Sequence, residues 1–119
     1  MLNLDTHILI WSVSGELTAD EERLLSQHQW GISGIVLWEI AKLVEKKRID
    51  VDFEDRDLLD TLAHTHVWPI DLDVCRKLED LDFRSDPADE LIAATSLVHH
   101  VPLLTRDKKI RKSRLVPFA

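Results

Sequence analysis

The sequence predicts an α/β protein in which helices cover both faces of a short parallel β-sheet. Short apolar stretches typical of strands alternate along the whole chain with longer helical segments, and this alternation favours parallel strands. Recognisable caps precede most of the helical segments. With 119 residues, of which 45% are hydrophobic, the chain can build one core, and no repeat or linker divides it. We therefore expect a single domain over residues 1–119.

An aspartate separates the first predicted strand from the first predicted helix. Leu2–Leu4 is a short apolar strand, and Thr6–Trp11 continues as a buried helix that Gly15 ends. Asp5 between them follows the carboxyl end of a strand, although an aspartate in this position is also favoured as a helix cap. The next helix begins with a capping box, Thr18–Glu21.

The second strand is followed by a helix that carries an acid near its apolar face. Trp30–Ser33 is the predicted strand, and Ser33 can cap a helix over residues 34–47. Glu39 lies at the margin of the apolar stripe of this helix, where it can reach the wall of a cleft. The simpler interpretation is a surface ion pair with Lys42, worth only about 0.3 kcal/mol.

The middle of the chain predicts a helix and then a strand at the edge of the sheet. Asp52 or Glu54 is expected to open an amphipathic helix through Leu58 and Leu62. Residues 67–70 follow as a strand, and the proline within this segment favours an edge position or a strand end.

A further helix is expected after Asp71, which is a good cap for a segment that extends to Leu81. Cys75 in this helix is expected to pack as a small hydrophobic residue. As the only cysteine, it excludes an internal disulfide and a cysteine zinc cage.

The segment Ser85–Asp107 is the most informative part of the sequence. It begins with Asp86 at the cap position, Pro87 at the first helical position and Asp89 at the third, where a carboxylate meets the positive end of the helix. The helix body is apolar on nearly every side, so we expect it to be buried.

The same segment ends in a second strand and a third acid. Residues 101–105 are predicted as a short buried strand, with Asp107 at its carboxyl end. A short basic helix then leads to residues 115–118, which we expect to form a final edge strand.

Composition and charge narrow the class of protein. The net charge of −7 argues against a protein that coats nucleic acids, but it does not exclude a nuclease whose acids bind cations. No stretch approaches the roughly 20 apolar residues of a membrane span, and no secretory pattern is present, so we expect a cytoplasmic protein. Six of the fifteen basic residues cluster around Asp107. This cluster is either a solvated helix or a phosphate-binding rim that includes Arg106, Lys108 and Lys109.

Four of the acids described above are candidates for a metal site. The carboxyl ends of parallel strands meet at one edge of a sheet, so Asp5, Glu39, Asp89 and Asp107 can converge there. Several carboxylates this close cannot all stay ionised without a counter-charge. Oxygen ligands favour Mg²⁺ or Mn²⁺, and such a site suits the hydrolysis of phosphodiester bonds.

Four segments of the sequence, in order, resemble the motifs of PIN-domain ribonucleases, specifically the VapC-like toxins of bacterial toxin–antitoxin pairs. These segments are LDTHILIW at residues 4–11, ISGIVLWEIA at 32–41, DPADELIAAT at 86–95 and LTRD at 104–107. The resemblance covers essentially the whole chain and implies a three-layer α/β/α sandwich with a short central parallel sheet.

The resemblance also implies an activity, a cofactor and partners. By motif, the metal-binding and catalytic acids of the family fall on Asp5, Glu39, Asp89 and Asp107. The implied enzyme is a Mg²⁺- or Mn²⁺-dependent endoribonuclease that uses a metal-activated water, forms a homodimer and is inhibited by a small protein antitoxin. The resemblance also suggests Asp86 as a helix cap and, after that, as an outer-shell residue of the metal site. Two hydroxyls are further candidates for hydrogen bonds to the carboxylates or to a metal-bound water, namely Thr6 and Thr105.

Two alternatives to a ribonuclease remain open. A degenerate PIN scaffold would bind RNA or a protein without cutting, and a phosphoacceptor domain would use Asp5 at its strand end. The second would need an early acidic pair and a late lysine after a strand, which the sequence lacks. The histidines favour surface or helix-end roles, with His7 packed or capped. The tryptophans favour the core or an interface, with nucleotide stacking a less favoured role for Trp11.

Overall fold

The computed structural model describes residues 1–119, and a four-stranded parallel sheet forms its centre. The strands lie in the order β3-β2-β1-β4, so β1 and β2 are central. In chain order the elements are β1 (Leu2–Leu4), α1 (Thr6–Ser14), α2 (Ala19–Ser26), β2 (Trp30–Ser33), α3 (Gly34–Glu45), α4 (Arg56–Ala63), β3 (His66–Trp68), α5 (Leu72–Lys77), a 3₁₀ turn (Leu78–Asp80), α6 (Pro87–His99), β4 (Leu103–Leu104) and α7 (Lys108–Arg111). The predicted α/β class with a short parallel sheet is confirmed.

A buried polar contact fixes α6 against the central strand. Asn3 on β1 is fully buried, and its amide nitrogen donates to the carbonyl oxygen of Ile92 at 3.0 Å and to the hydroxyl of Ser96 at 2.9 Å. Because an unpaired buried amide is costly, these bonds set the position of α6 along β1. The first turn of α6, which carries Asp89, is thereby placed beside the carboxyl end of the sheet.

None of the helices has the length and apolar character that crossing a bilayer requires. The longest, α6, has 13 residues.

The predicted caps explain where most helices begin. Asp5 caps α1, the box between Thr18 and Glu21 caps α2, and Ser33 and Asp71 cap α3 and α5. Gly15 ends α1 with φ = 78°, a conformation that a side chain would disfavour. Capping therefore supplied reliable local signals in this sequence.

Two expectations for the middle of the chain are wrong. The helix α4 begins after Asp55 rather than Asp52 or Glu54, because the Asp52 carboxylate accepts from the backbone of Glu54 and closes a turn instead. Cys75 is exposed rather than packed. The short helix α5 buries Val74, and the next residue along a helix points about 100° away.

The outer strands are shorter than expected. The edge strand β3 ends at Trp68, because Pro69 has no N–H to continue the ladder, and its predicted edge position is confirmed. The strand β4 covers only Leu103–Leu104, and the expected final strand is reduced to a single bridge between Leu103 and Phe118.

A glycine on β2 makes room for the aromatic ring of the neighbouring strand. The Trp68 ring lies over Gly31, where an added Cβ would be 2.4 Å from two ring atoms. A larger residue at this position would displace the ring, so we attribute the glycine to this close approach.

Candidate active site at the carboxyl end of the sheet

Asp5 and Thr105 lie side by side because their strands are hydrogen-bonded neighbours. The backbone N–H of Asp5 donates to the carbonyl oxygen of Leu104 at 3.1 Å. The buried Thr105 hydroxyl donates to Oδ2 of Asp5 at 2.5 Å, while the Thr6 backbone N–H donates to Oδ1 at 2.8 Å. The half-buried Asp5 carboxylate is therefore held in one orientation.

Glu39 reaches the same region from α3. It is half-buried, and the buried Thr6 hydroxyl donates a hydrogen bond to its Oε1. The simpler sequence interpretation, an ion pair with Lys42, is wrong, because Lys42 pairs instead with Glu45 at 3.5 Å. Glu39 therefore faces the carboxyl end of the sheet rather than the solvent side of its helix.

Asp89 lies in the first turn of α6, and the hydroxyl of Ser85 donates to its Oδ2 at 2.8 Å. Asp86 occupies the predicted cap position with extended backbone, but its exposed side chain accepts no capping hydrogen bond. Sequence reasoning missed Ser85. Its position four residues before Asp89, just outside the helix, was the available signal.

Asp107 has its carboxylate directed to the start of α7. Its Oδ1 accepts from the backbone N–H groups of Lys109 at 2.8 Å and Ile110 at 3.1 Å. Its own backbone N–H donates to the Thr105 hydroxyl at 3.0 Å, so Thr105 links Asp5 to Asp107. We refer to Asp5, Glu39, Asp89 and Asp107 as the acidic cluster.

Burial and mutual repulsion raise the pKa of three members of the acidic cluster. Loss of solvent is the main cause of the raised pKa of Asp5, Glu39 and Asp89. Hydrogen bonds from Thr105, Thr6 and Ser85 respectively oppose the rise. Repulsion between carboxylates adds to the rise in pKa. Asp107 repels Asp5, and both of them repel Asp89. Asp5 and Asp89 repel Glu39. The carboxylates therefore act on one another, while the charge of His7 opposes the rise at Asp5.

The donor chemistry of the acidic cluster fits a hard divalent cation, although its carboxylates do not converge into a closed set of ligands. No three histidine, cysteine, aspartate or glutamate side chains are arranged closely enough to hold an ion. Repulsion between uncompensated carboxylates favours this separation, and hydroxyls occupy oxygens of three of them. Oxygen-only donors with unbalanced negative charge suit Mg²⁺ or Mn²⁺ rather than a soft metal.

The basic residues beside the cluster do not share one environment. Lys108 and Lys109 are exposed on α7. Arg106 instead forms an ion pair with the buried Glu21, with N–O distances of 2.8 and 2.6 Å. This bond to the Arg106 guanidinium lowers the pKa of Glu21 to about 2. Sequence analysis had assigned Glu21 only to a capping box, which it also forms.

A cavity of about 240 Å³ adjoins the acidic cluster. We refer to it as the side cavity; its lining consists of Asp5, His7, Ile8, Trp11, Arg106 and Asp107. A larger cavity of about 380 Å³ lies among His28, Trp30 and His64, and no member of the acidic cluster lines it.

A short parallel sheet with helices between its strands and acids at its carboxyl end fits the PIN-domain class. Comparison with known protein families gives the same class. The model of the PIN domain matches residues 3–114, so the chain belongs to this family. The resemblance predicted from the four sequence motifs is confirmed.

Among individual relatives, the chain is similar to Ribonuclease VapC22 of Mycobacterium tuberculosis (strain ATCC 25618 / H37Rv). The two are 30% identical over 122 aligned residues, which cover 93% of this chain and 90% of the relative.

Two solved structures share the fold. The crystal structure of VapBC2 from Rickettsia felis bound to a DNA fragment from their promoter matches with a TM-score of 0.74 and 18% identity, over 100% of this chain and 98% of that one. The crystal structure of FitAcB from Neisseria gonorrhoeae matches with a TM-score of 0.72 and 18% identity, over 100% and 97%. These likenesses extend the fold assignment to the whole length of the chain.

Proposed function

We propose that this protein is a metal-dependent endoribonuclease of the VapC type, in which the acidic cluster binds Mg²⁺ or Mn²⁺. One observation carries the proposal. Acids from four distant segments of the chain lie at the carboxyl end of the sheet, where burial and mutual repulsion raise the pKa of Asp5, Glu39 and Asp89. Membership of the PIN-domain family and the similarity to a protein named as a ribonuclease support RNA as the substrate.

In this proposal, the acidic cluster holds the ion and three hydroxyls orient the carboxylates. A divalent ion bound there would lower the pKa of the attacking water and balance charge on the phosphate, so that the phosphodiester bond is hydrolysed. Thr105 holds Asp5, Thr6 holds Glu39, and Ser85 holds Asp89, each through a hydroxyl that donates to the carboxylate. Fixed orientation matters because metal ligands depend on such outer-shell hydrogen bonds.

The phosphate backbone of the RNA would be drawn to the exposed lysines of α7. Lys108 and Lys109 lie directly after Asp107, so their charges are next to the acidic cluster. Each lysine that contacts a phosphate strengthens binding in a salt-dependent manner. Asp86, exposed at the start of α6, completes the polar rim as an outer-shell residue.

We further propose that the protein is the toxin of a toxin–antitoxin pair and acts as a homodimer in the cytoplasm. Similarity to a toxin–antitoxin complex from Klebsiella pneumoniae, with a TM-score of 0.70, supports the pairing with an antitoxin. Expression of the chain alone should arrest bacterial growth, and co-expression of an adjacent antitoxin gene should relieve the arrest. Light scattering that gives a monomer would remove the homodimer from the proposal.

The direct test of the activity is Asp5→Asn. Asparagine keeps the cap of α1 but removes the charge, so the fold should survive and RNA cleavage should be lost. We expect a loss greater than the roughly 10- to 100-fold cost of removing an outer-shell partner. Cleavage of a labelled RNA in Mn²⁺ measures it.

The matched control is Asp71→Asn, which changes an exposed cap aspartate on α5, outside the acidic cluster. This variant should cleave RNA at the wild-type rate. Full activity in Asp5→Asn, or equal losses in both variants, would refute the proposed role of Asp5.

A further inference from the structure

Three flat side chains meet in the side cavity beside the acidic cluster. His7 and Trp11 are four residues apart on α1 and therefore share one face of the helix, with their ring centroids 5.5 Å apart. The guanidinium of Arg106 lies over the Trp11 ring, 3.9 Å from its centroid. Asp5 and Asp107 form the side of the cavity that faces the cluster.

Two of these side chains, Trp11 and Arg106, are held in place before any ligand binds. Trp11 is half-buried and packs against the hydrophobic core. Nε and Nη2 of Arg106 donate to the Glu21 carboxylate at 2.8 and 2.6 Å, and Nη2 also donates to the carbonyl oxygen of Glu16 at 3.2 Å. Three of the five guanidinium N–H groups are thus used, while the two on Nη1 have no protein partner.

The charge of Arg106 is already balanced. Glu21 is buried against it, so a phosphate brought to this guanidinium would also meet the Glu21 carboxylate. One face of the guanidinium lies on the Trp11 ring, so the opposite face and the Nη1 edge remain available, and a neutral ring can use both without adding charge. This arrangement is different from that of the exposed lysines on α7.

We propose that the side cavity binds one unpaired nucleobase of single-stranded RNA, stacked on the Arg106 guanidinium, which the Trp11 ring supports from its other face, with the His7 ring beside it. Unpaired bases are commonly bound in this way, by stacking on aromatic rings and on arginine guanidinium groups. The cavity has a volume of about 240 Å³, and Asp5 and Asp107 of the acidic cluster line it, so the phosphate attached to a base bound there would lie next to these acids. The inference rests on the proposed function, because it names how the RNA substrate is held at the same site.

The test compares two ligands that share a backbone and differ only in their bases. Binding of a short single-stranded RNA and of an abasic ribose-phosphate chain of equal length is measured in the full chain carrying Asp89→Asn, so that the RNA stays intact. In that background, Trp11→Ala should weaken RNA binding about 5- to 100-fold and change abasic binding less than about twofold.

Two further variants separate base stacking from charge and from folding. Arg106→Lys keeps the positive charge but loses the plane, so it should weaken binding of the RNA and leave that of the abasic chain almost unchanged. His7→Ala removes an exposed ring on the helix surface, so the fold should be unaffected while RNA binding falls. Thermal melts of each variant identify a loss that comes from unfolding.

The matched control is Trp38→Ala. Like Trp11, Trp38 lies near a cation, with Lys42 Nζ 5.9 Å from its ring centroid, but it is exposed and does not line the side cavity. The Trp38→Ala variant should bind the RNA and the abasic chain as tightly as the Asp89→Asn protein does. Equal losses for RNA and the abasic chain in Trp11→Ala and Arg106→Lys, or no RNA binding above that of the abasic chain, would overturn the inference.

Cleavage by the chain without Asp89→Asn is measured separately. If base-dependent binding holds while no cleavage occurs in Mg²⁺ or Mn²⁺, the side cavity stands and the proposed function fails. If cleavage occurs without base-dependent binding, the proposed function stands and this inference fails.

Discussion

Two sets of acidic side chains lie near the carboxyl end of the sheet, and they differ in whether a positive charge faces them. Glu21 is buried against Arg106, and its pKa falls to about 2. Asp5, Glu39 and Asp89 form no ion pair with a lysine or an arginine and repel neighbouring carboxylates, and the pKa of each rises. Since burial acts in the same direction on both sets, the partner decides the sign of the shift.

The comparison separates a structural use of charge from a functional one. The Arg106–Glu21 pair ties the loop after β4 to α2 across 85 residues of sequence. The acidic cluster contributes no comparable bond between its carboxylates and retains uncompensated charge. A protein keeps such a cost where a ligand removes it, which is the expectation at functional sites.

The largest effect that we expect is a loss of activity when the Thr105 hydroxyl, rather than one of the acids, is removed. Thr105→Val keeps the shape of the buried side chain but removes the hydrogen bonds that link Asp5 and Asp107. We predict a roughly 10- to 100-fold loss of RNA cleavage, because an outer-shell partner is lost. Thr95→Val is the control, since the hydroxyl of this buried threonine bonds only the Leu91 carbonyl. Equal losses in the two variants would show that packing, not orientation, is responsible.

The next largest effect that we expect is a loss of stability when the ion pair between Glu21 and Arg106 is weakened. Glu21→Gln should lower the free energy of unfolding by about 1–2 kcal/mol, since two charge-assisted hydrogen bonds are weakened while the side chain of Arg106, 38% exposed, stays partly solvated. Urea melts measure the change. Glu22→Gln, at an exposed position on the same helix, should change the free energy by less than about 0.5 kcal/mol. A Glu21→Gln protein as stable as wild type would remove the pair from the stability of the fold.

The pH dependence of stability should show both sets of acids, with opposite signs. An acid with a raised folded pKa binds protons more readily in the folded state, so the metal-free protein should gain stability as the pH is lowered from neutral. Glu21, with a folded pKa of about 2 against a usual value of 4.5, contributes stability above pH 4.5 that is lost as the pH falls through 2.

Urea melts with a chelator across this range test that expectation. Stability should pass through a maximum on the acid side of neutrality. Glu21→Gln should flatten the limb on the acid side of the maximum, and Glu39→Gln should flatten the limb above it. A steady decline from pH 7 downwards would contradict the raised pKa values.

The smallest expected effect is a gain in stability. Asp89→Asn removes one of the mutually repelling charges and keeps an oxygen that can accept from Ser85, so the metal-free protein should be more stable by about 0.5–1 kcal/mol. The comparison with Asp71→Asn, a change outside the cluster, isolates the contribution of repulsion. A destabilised Asp89→Asn protein in the absence of metal would show that the carboxylates do not repel one another.

The parts of the site that sequence predicted are those with local signals. Asp5, Asp89 and Asp107 flank strands or helices whose caps and periodicity are visible within a few residues, and the structure places them where those signals indicate. The partners of the acids could not be predicted in this way. Thr6 meets Glu39 across 33 residues and Thr105 meets Asp5 across 100, so both contacts depend on the strand order.

Asp86 and the Arg106–Glu21 pair show two other limits of prediction from sequence. Capping statistics placed Asp86 correctly at the start of α6, but they do not determine whether its side chain accepts a hydrogen bond. A run of basic residues does not reveal that one of them, Arg106, is paired with an acid on another helix. The hydrogen bonding of these side chains depends on the folded surroundings, which are not visible in the neighbouring sequence: Asp86 faces solvent, and Arg106 meets an acid that is distant along the chain.

The most direct test of the central claim is the effect of Mn²⁺ on thermal stability. If the acidic cluster binds a divalent ion in the folded state alone, Mn²⁺ at 100 times its Kd should stabilise the wild-type protein by about 2.7 kcal/mol and raise its Tm. The double variant Asp5→Asn, Asp89→Asn should show no such rise, while Asp71→Asn should behave as wild type. No rise in the wild type, or an equal rise in the double variant, would contradict a metal site at these four acids.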